Sequence, residues 1–157
     1  MRQDFALKTP LEDPKDLDTI AAMKQSNSVS VHVRRSDYIG SYFAGIATPA
    51  YYEKALEHIK SKVSDPAFFI FSDDIAWCKE HLPVGNEAHF IDRNTGKNSY
   101  KDLILMSNCK HNIIANSSFS RRGAWLNDNS DKIVIAPQKR HQNLDYKDIV
   151  PAERIRV

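Results

Sequence analysis

Five short apolar runs, separated by stretches of helical spacing, decide the fold class of this chain. Ser28 to Val33 alternates and is rich in valine; Phe68 to Phe71 is apolar throughout. Ala88 to Ile91, Asn112 to Ala115 and Lys132 to Ala136 complete the series. Runs of this kind suit strands covered on both faces. Between them, Thr48-Pro49 offers an N-cap followed by proline in the first turn, and Tyr51, Ala55, Ile59 and Val63 then share one helical face. Asp73 to Leu82, capped by Ser72 or Asp73, reads as a short helix, and Ser99 opens another through Cys109 with a capping-box pattern. Asn116, Ser117 and Ser118 precede a last helical stretch with Ala124, Trp125 and Leu126. Strand and helix in alternation predict a doubly wound, mostly parallel, Rossmann-like α/β domain.

The expected domain runs from 28 to 157. Residues 1–27 read as a loosely structured lead or the remnant of a preceding lobe: Pro10 and Pro14 interrupt them, with a short helix over Asp16 to Lys24. Only the cysteines Cys78 and Cys109 occur, both in apolar surroundings, which excludes a disulfide scaffold and points to a reducing cytoplasm. No apolar run approaches the roughly 18 residues of a transmembrane segment. The net charge of +2 provides no general field for nucleic acid or lipid, so cationic work must be local.

In open α/β sheets, ligands bind beyond the carboxyl ends of the strands. Three polar clusters fall there: His32 to Tyr38 with Arg34, Arg35 and Asp37; Ser72, Asp73 and Asp74; and Asn116, Ser117, Ser118 and Ser120. Arginine grips phosphate through paired charge-assisted bonds. Hydroxyls at a helix start add donors without charge, and a carboxylate can accept the paired N–H groups of guanine. A nucleoside diphosphate needs that combination. Each cluster also has a plain reading: ion pairs for the arginines, helix caps for the aspartates and for the Asn-Ser-Ser run. No glycine-rich phosphate loop occurs, which disfavours nicotinamide dehydrogenases and P-loop enzymes. The remaining histidines and two separated cysteines show no metal-ligand spacing.

His32-Val33-Arg34-Arg35-Ser36-Asp37-Tyr38 resembles the HxRRGDY motif of the α-1,2-fucosyltransferases, glycosyltransferase family 11. Phe71 to Lys79 is similar to their FSDDxxWCK stretch, and Asp102 through Ser120 to their DxxLMSxCxHxIxANSSFS block. The resemblance implies inverting, metal-independent transfer of L-fucose from GDP-fucose to the 2-hydroxyl of a galactoside. No cofactor is expected beyond that donor. It further implies the donor-binding lobe of a two-lobed, GT-B-type enzyme, with the missing N-terminal lobe as a partner. The location it implies is cytoplasmic, or peripheral to the inner membrane face for the full-length enzyme. By the same resemblance, Arg34 holds the β-phosphate with Arg35 assisting, His32 contacts the guanosine, and Asp73 or Asp74 takes the guanine edge. Ser117, Ser118 and Ser120 bond the phosphates, with Asn116 beside them. Asp37 is the candidate base by position, against a structural carboxylate anchoring the arginines. Strand alternation puts His32 and Arg34 on one face and turns Arg35 to the other.

The chain departs from the family pattern at Ser36, where the motif has glycine, and at Arg121, Arg122 and Arg140, where tryptophans are expected. If that glycine needs positive φ, serine costs ~1 kcal/mol. A non-catalytic fragment or diverged domain that binds GDP weakly or not at all is the alternative. Nucleic-acid binding through Arg34, Arg35, Arg121, Arg122, Lys139 and Arg140 is opposed by Asp37, Asp73 and Asp74 in the same loops.

Overall fold

A computed structural model describes residues 11–85, 88–139, 141 and 155–157. Six strands form one sheet: β1 (Asn27–Val33), β2 (Pro66–Ser72), β3 (His89–Ile91), β4 (His111–Ile113), β5 (Val134–Ala136) and β6 (Ile155–Arg156). Their order is β3-β2-β1-β4-β5-β6 and every neighbouring pair is parallel, the doubly wound Rossmann-like arrangement. β1 lies beside both β2 and β4, with Val29 opposite Phe68 on one side and His111 on the other. The winding direction reverses between β1 and β4, which opens a crevice at their carboxyl ends.

The five sequence-predicted strands are present with shifted ends: β2 is longer than its apolar run, while β4 stops at Ile113 and β5 begins at Val134. β6 is an addition, two residues too short to leave a periodic trace in sequence.

Side chains alternate across the sheet, and the two faces differ in chemistry. Val29, Val31 and Val33 of β1 and Phe68 and Ile70 of β2 meet α2 (Pro49–Lys62) and α3 (Ile75–His81). Phe69 and Phe71 face α1 (Pro14–Gln25) and α4 (Tyr100–Asn108) with Met23, Leu105 and Met106. On that second face β1 presents Ser28, Ser30 and His32, all buried. Burial of polar groups requires partners. Asn112 Nδ2 donates to Ser30 Oγ at 2.7 Å, and Asn127 Nδ2 donates to Asn112 Oδ1 and the Cys109 carbonyl, each at 2.8 Å. This buried amide chain ties the central strands to the end of α5 (Ser118–Leu126). α4 and α5 pack closely at Gly123, where a Cβ would stand 3.2 Å from Met106 Cβ.

Within the stretch read as a loose lead, α1 is a capped helix: Asp13 accepts from Lys15 N at 3.0 Å, and Pro14 occupies the first turn. It buries Met23 and Asp16, so this part of the lead packs on the sheet. Asp74, rather than Ser72 or Asp73, caps α3, accepting from Trp77 N at 3.1 Å. Ser99 precedes α4 without a side-chain cap bond. Among the described residues no helix is long and apolar enough to cross a membrane.

Candidate functional site

The carboxyl ends of β1 and β2 and the starts of α4 and α5 enclose a cleft of ≈ 640 Å³. His32 and Arg34 come from the end of β1, and Ser117 and Ser118 from the start of α5. The residues from these two places share one cavity. Ser117 caps α5, its hydroxyl accepting from Phe119 N at 3.2 Å. Helix starts carry unsatisfied N–H groups and positive potential, which suits an anion.

Strand alternation separates the two arginines as expected. Arg34 enters the cleft, while Arg35 turns away and lies over Trp77, its guanidinium carbon 4.1 Å from the ring centroid. Arg35 Nε pairs with Asp74 Oδ2 at 3.2 Å. Its carboxylate partner is therefore Asp74, and Asp37 belongs to Arg34. Nε and Nη2 of Arg34 meet the two Asp37 oxygens at 2.7 and 3.0 Å, a fork that fixes the guanidinium and leaves Nη1 outside it. The Arg34 pairing holds the Asp37 carboxyl below the usual range, and its side chain is 58% exposed. That is a sound anchor for Arg34 and a weak proton acceptor.

Asp73 and Asp74 both have structural work. Asp73 accepts from the backbone N–H of Arg35 at 2.9 Å and of Ser36 at 3.1 Å, and lies 3.4 Å from Arg34 Nε. It thereby shapes the turn carrying the arginines, although it also borders the cleft. Asp74 is used by Arg35 and the α3 cap and does not line the cavity. Asn116 also lies outside the lining; its amide donates to the Phe43 carbonyl at 3.1 Å and so holds the loop after β1. Ser120 is buried in α5, its hydroxyl 3.5 Å from the Ser117 carbonyl, and does not reach the cleft. Ser36 is not in the left-handed region; among the described non-glycine residues only Asp65 is, so the feared cost of losing a glycine does not arise.

His32 is buried at the cleft wall beside Phe119, ring centroids 5.6 Å apart, and its Nδ1 has no hydrogen-bond partner. Burial pushes its pKa down to about 4, so the ring is neutral near pH 7. A neutral, unpartnered ring nitrogen at a cavity wall can donate to or accept from a ligand without adding charge.

The opposite wall was not singled out from sequence. Asn94, Thr95 and Gly96 after β3, with Ser99 and Asp102 from the start of α4, complete the lining. Asn94 Nδ2 donates to Asp102 Oδ1 at 2.8 Å. Behind them the fully buried Asp16 meets Arg93 at 2.8 Å and Lys101 at 3.5 Å. Burial raises the Asp102 pKa to about 6, against the opposing pull of its Asn94 bond and of Arg93. A carboxyl with a raised pKa in a cleft is a functional-site signal. In the sequence it was visible only as the first letter of a matched block, with no spacing to show that it lines the same cleft as Arg34.

Of the cations beyond the cleft, Arg121 is half-buried and Arg122 exposed on α5, and Arg140 lies outside the described residues. His111 opens β4 at the far end of the sheet, where its Nδ1 accepts from Ile133 N at 3.1 Å, a structural role as expected. Among the described residues no group of three or more His, Cys, Asp or Glu stands together as a metal site.

The pattern of Glycosyl transferase family 11 matches residues 13–150. The chain is 38% identical to an Escherichia coli protein named alpha-1,2-colitosyltransferase, over 92% of this chain and 52% of that one. It is 39% identical to the Escherichia coli O-antigen biosynthesis glycosyltransferase WbnK, over 74% of this chain and 40% of the relative. A mouse protein, galactoside 2-alpha-L-fucosyltransferase Sec1, is 32% identical over 71% of this chain and 31% of its own length. The chain thus spans about half or less of the length of these relatives. A family pattern covering most of the chain, over a sheet whose switch-point cleft carries its motif residues, assigns this chain to glycosyl transferase family 11.

Proposed function

We propose that this chain forms the donor-nucleotide site of a galactoside α-1,2-glycosyltransferase, with GDP-fucose as the donor. The observation that carries the reading is one cleft lined together by Arg34, by Ser117 and Ser118 at the start of α5, and by Asn94 and Asp102. The diphosphate lies between Arg34 and Ser117–Ser118. The base lies toward Asp102, whose carboxylate accepts the N1–H and 2-amino group of guanine and offers nothing to the corresponding edge of adenine. In the reaction the acceptor 2-hydroxyl oxygen bonds to the anomeric carbon as the bond from that carbon to the β-phosphate oxygen breaks. The bonding pair remains on GDP, and the hydroxyl proton passes to a base. Charge grows on the leaving diphosphate, so a fixed guanidinium helps the transition state more than the ground state. Asp37, committed to Arg34 by both oxygens, serves this step by orienting that guanidinium.

Calorimetric titration with GDP and with ADP tests the reading. GDP is expected to bind at least about tenfold more tightly, the scale of one unpaired buried polar contact. Equal affinities, or no GDP binding by folded protein, refute it. Turnover with GDP-fucose and a galactoside is a separate measurement, because the matched relatives are about twice as long. GDP binding without transfer supports the alternative of a donor-binding piece that is not catalytic alone.

A further inference from the structure

The loop between β1 and α2 carries the rings Tyr38, Tyr42 and Phe43, which lie outside the sheet core, join His141 and reach the edge of the nucleotide cleft at Tyr38. Tyr38 and Phe43 stack with centroids 5.1 Å apart and planes 27° apart. His141 stacks on Tyr42 at 5.4 Å and meets Phe43 edge-on at 5.3 Å. Core rings would be covered, yet Tyr42 and the neighbouring Ile39 are each 65% exposed and Phe43 is 38% exposed. Clustered aromatic exposure of this kind marks a binding surface.

The loop is held in place. Ser41 Oγ donates to the Tyr38 carbonyl at 2.8 Å and accepts from Phe43 N at 3.2 Å, while Asn116 anchors the Phe43 carbonyl from across the switch point. The ring set is also continuous with the nucleotide cleft, because Tyr38 lines it beside Arg34 and Asp37. We propose that the Tyr38–Phe43–Tyr42 ring cluster is the shelf on which the acceptor sugar stacks, presenting its hydroxyl toward the sugar–phosphate bond held at Arg34. This deepens the donor-site reading and rests on it. The occupant follows from position and chemistry. A group-transfer cleft needs its second substrate beside the diphosphate, and Tyr38, which lines the cleft with Arg34 and Asp37, joins the rings to that place. A β-galactoside has one face of C–H groups, which pack on the negative face of an aromatic ring, while its hydroxyls remain free for water and polar neighbours.

The test is saturation-transfer NMR on the intact chain with methyl β-galactoside, and with galactitol as an open-chain control that has hydroxyls but no ring face. Spectra are taken with and without saturating GDP, and GDP affinity is measured in parallel. The shelf predicts stronger transfer to the galactoside than to galactitol, greatest at the ring protons of the apolar face. Tyr42→Ala and Phe43→Ala are expected to cut it about fivefold or more, Tyr42→Phe to retain it, and all three to keep GDP affinity within about twofold. Unchanged transfer in Tyr42→Ala, or equal transfer to galactitol, overturns the shelf, as does absence of galactoside signal in protein that binds GDP. Failure of GDP to bind overturns the donor reading instead, and the spectra without GDP then decide the shelf by themselves.

Discussion

Asp102→Asn separates what the cleft needs from what the fold prefers. Burial raises the Asp102 pKa from 3.8 to about 6, and at about 1.4 kcal/mol per pH unit the ionised carboxylate costs the native state about 3 kcal/mol. Water reaching the open side of the cleft reduces this to about 2–3 kcal/mol. The native state holds this proton to higher pH than the unfolded chain, so its contribution is complete below pH 4 and is lost as pH rises through 6. His32 runs the other way. Burial lowers its pKa from 6.5 to about 4, so its contribution is present above pH 6.5 and is lost as pH falls toward 4. In the parent protein the two slopes oppose each other between pH 4 and 6.5. In Asp102→Asn the His32 slope is unopposed, while the Asn oxygen still accepts the Asn94 amide. Urea unfolding at pH 4.0, 5.0, 6.0 and 7.5 gives the stability difference between variant and parent. It should move by about 2–3 kcal/mol in favour of the variant from the lowest pH to the highest. Groups common to both proteins cancel in that comparison. GDP affinity at pH 7.5 should fall about 10-fold or more, because the lost acceptor was charged. A stability difference that stays flat with pH refutes the burial argument, and GDP affinity untouched by the change refutes the assignment of the base to this wall.

The two arginines should part company. Arg34→Ala should cost about 1.5–3 kcal/mol of GDP binding with little loss of fold, whereas Arg35→Ala should leave GDP affinity unchanged and lower stability by about 1 kcal/mol through the lost Trp77 and Asp74 contacts. Calorimetry and urea unfolding on both variants check this, and equal effects on GDP contradict it. Asn127→Ala strips Asn112 Oδ1 and the Cys109 carbonyl of their buried donor. A loss of about 2–3 kcal/mol is expected, read as a lower urea midpoint at unchanged slope.

The sheet was legible because its strands announce themselves locally. Val29 to Val33 and Phe68 to Phe71 need two covered faces whatever surrounds them, and Pro49 after Thr48 fixes a helix start by the geometry of one residue. The division of labour between Arg34 and Arg35 was legible for the same reason, since neighbouring positions on a strand must point to opposite faces. The far wall was not. Asn94 and Asp102 belong to a loop and a helix start whose sequence is ordinary. They reach the cleft only because β3 lies next to β2, and pairing order is a property of the whole sheet that no window of residues contains.

The same distinction explains the fate of the aspartates. Asp37 stands three residues from Arg34, and Asp73 and Asp74 follow the neighbouring strand β2, so residue type and strand end suggest chemistry for all three. They are instead the partners that hold the arginines and the turn between them. A carboxylate that is to read a base must be spared such a pairing. Asp102 meets that condition: among the contacts described, only the Asn94 amide is bonded to it, and burial rather than a cation sets its proton affinity. In this fold Asp37 and Asp73 fix the direction of Arg34, while Asn94 and Asp102 reach the same cleft from the loop after β3 and the start of α4, a juxtaposition that no stretch of sequence around the arginines contains.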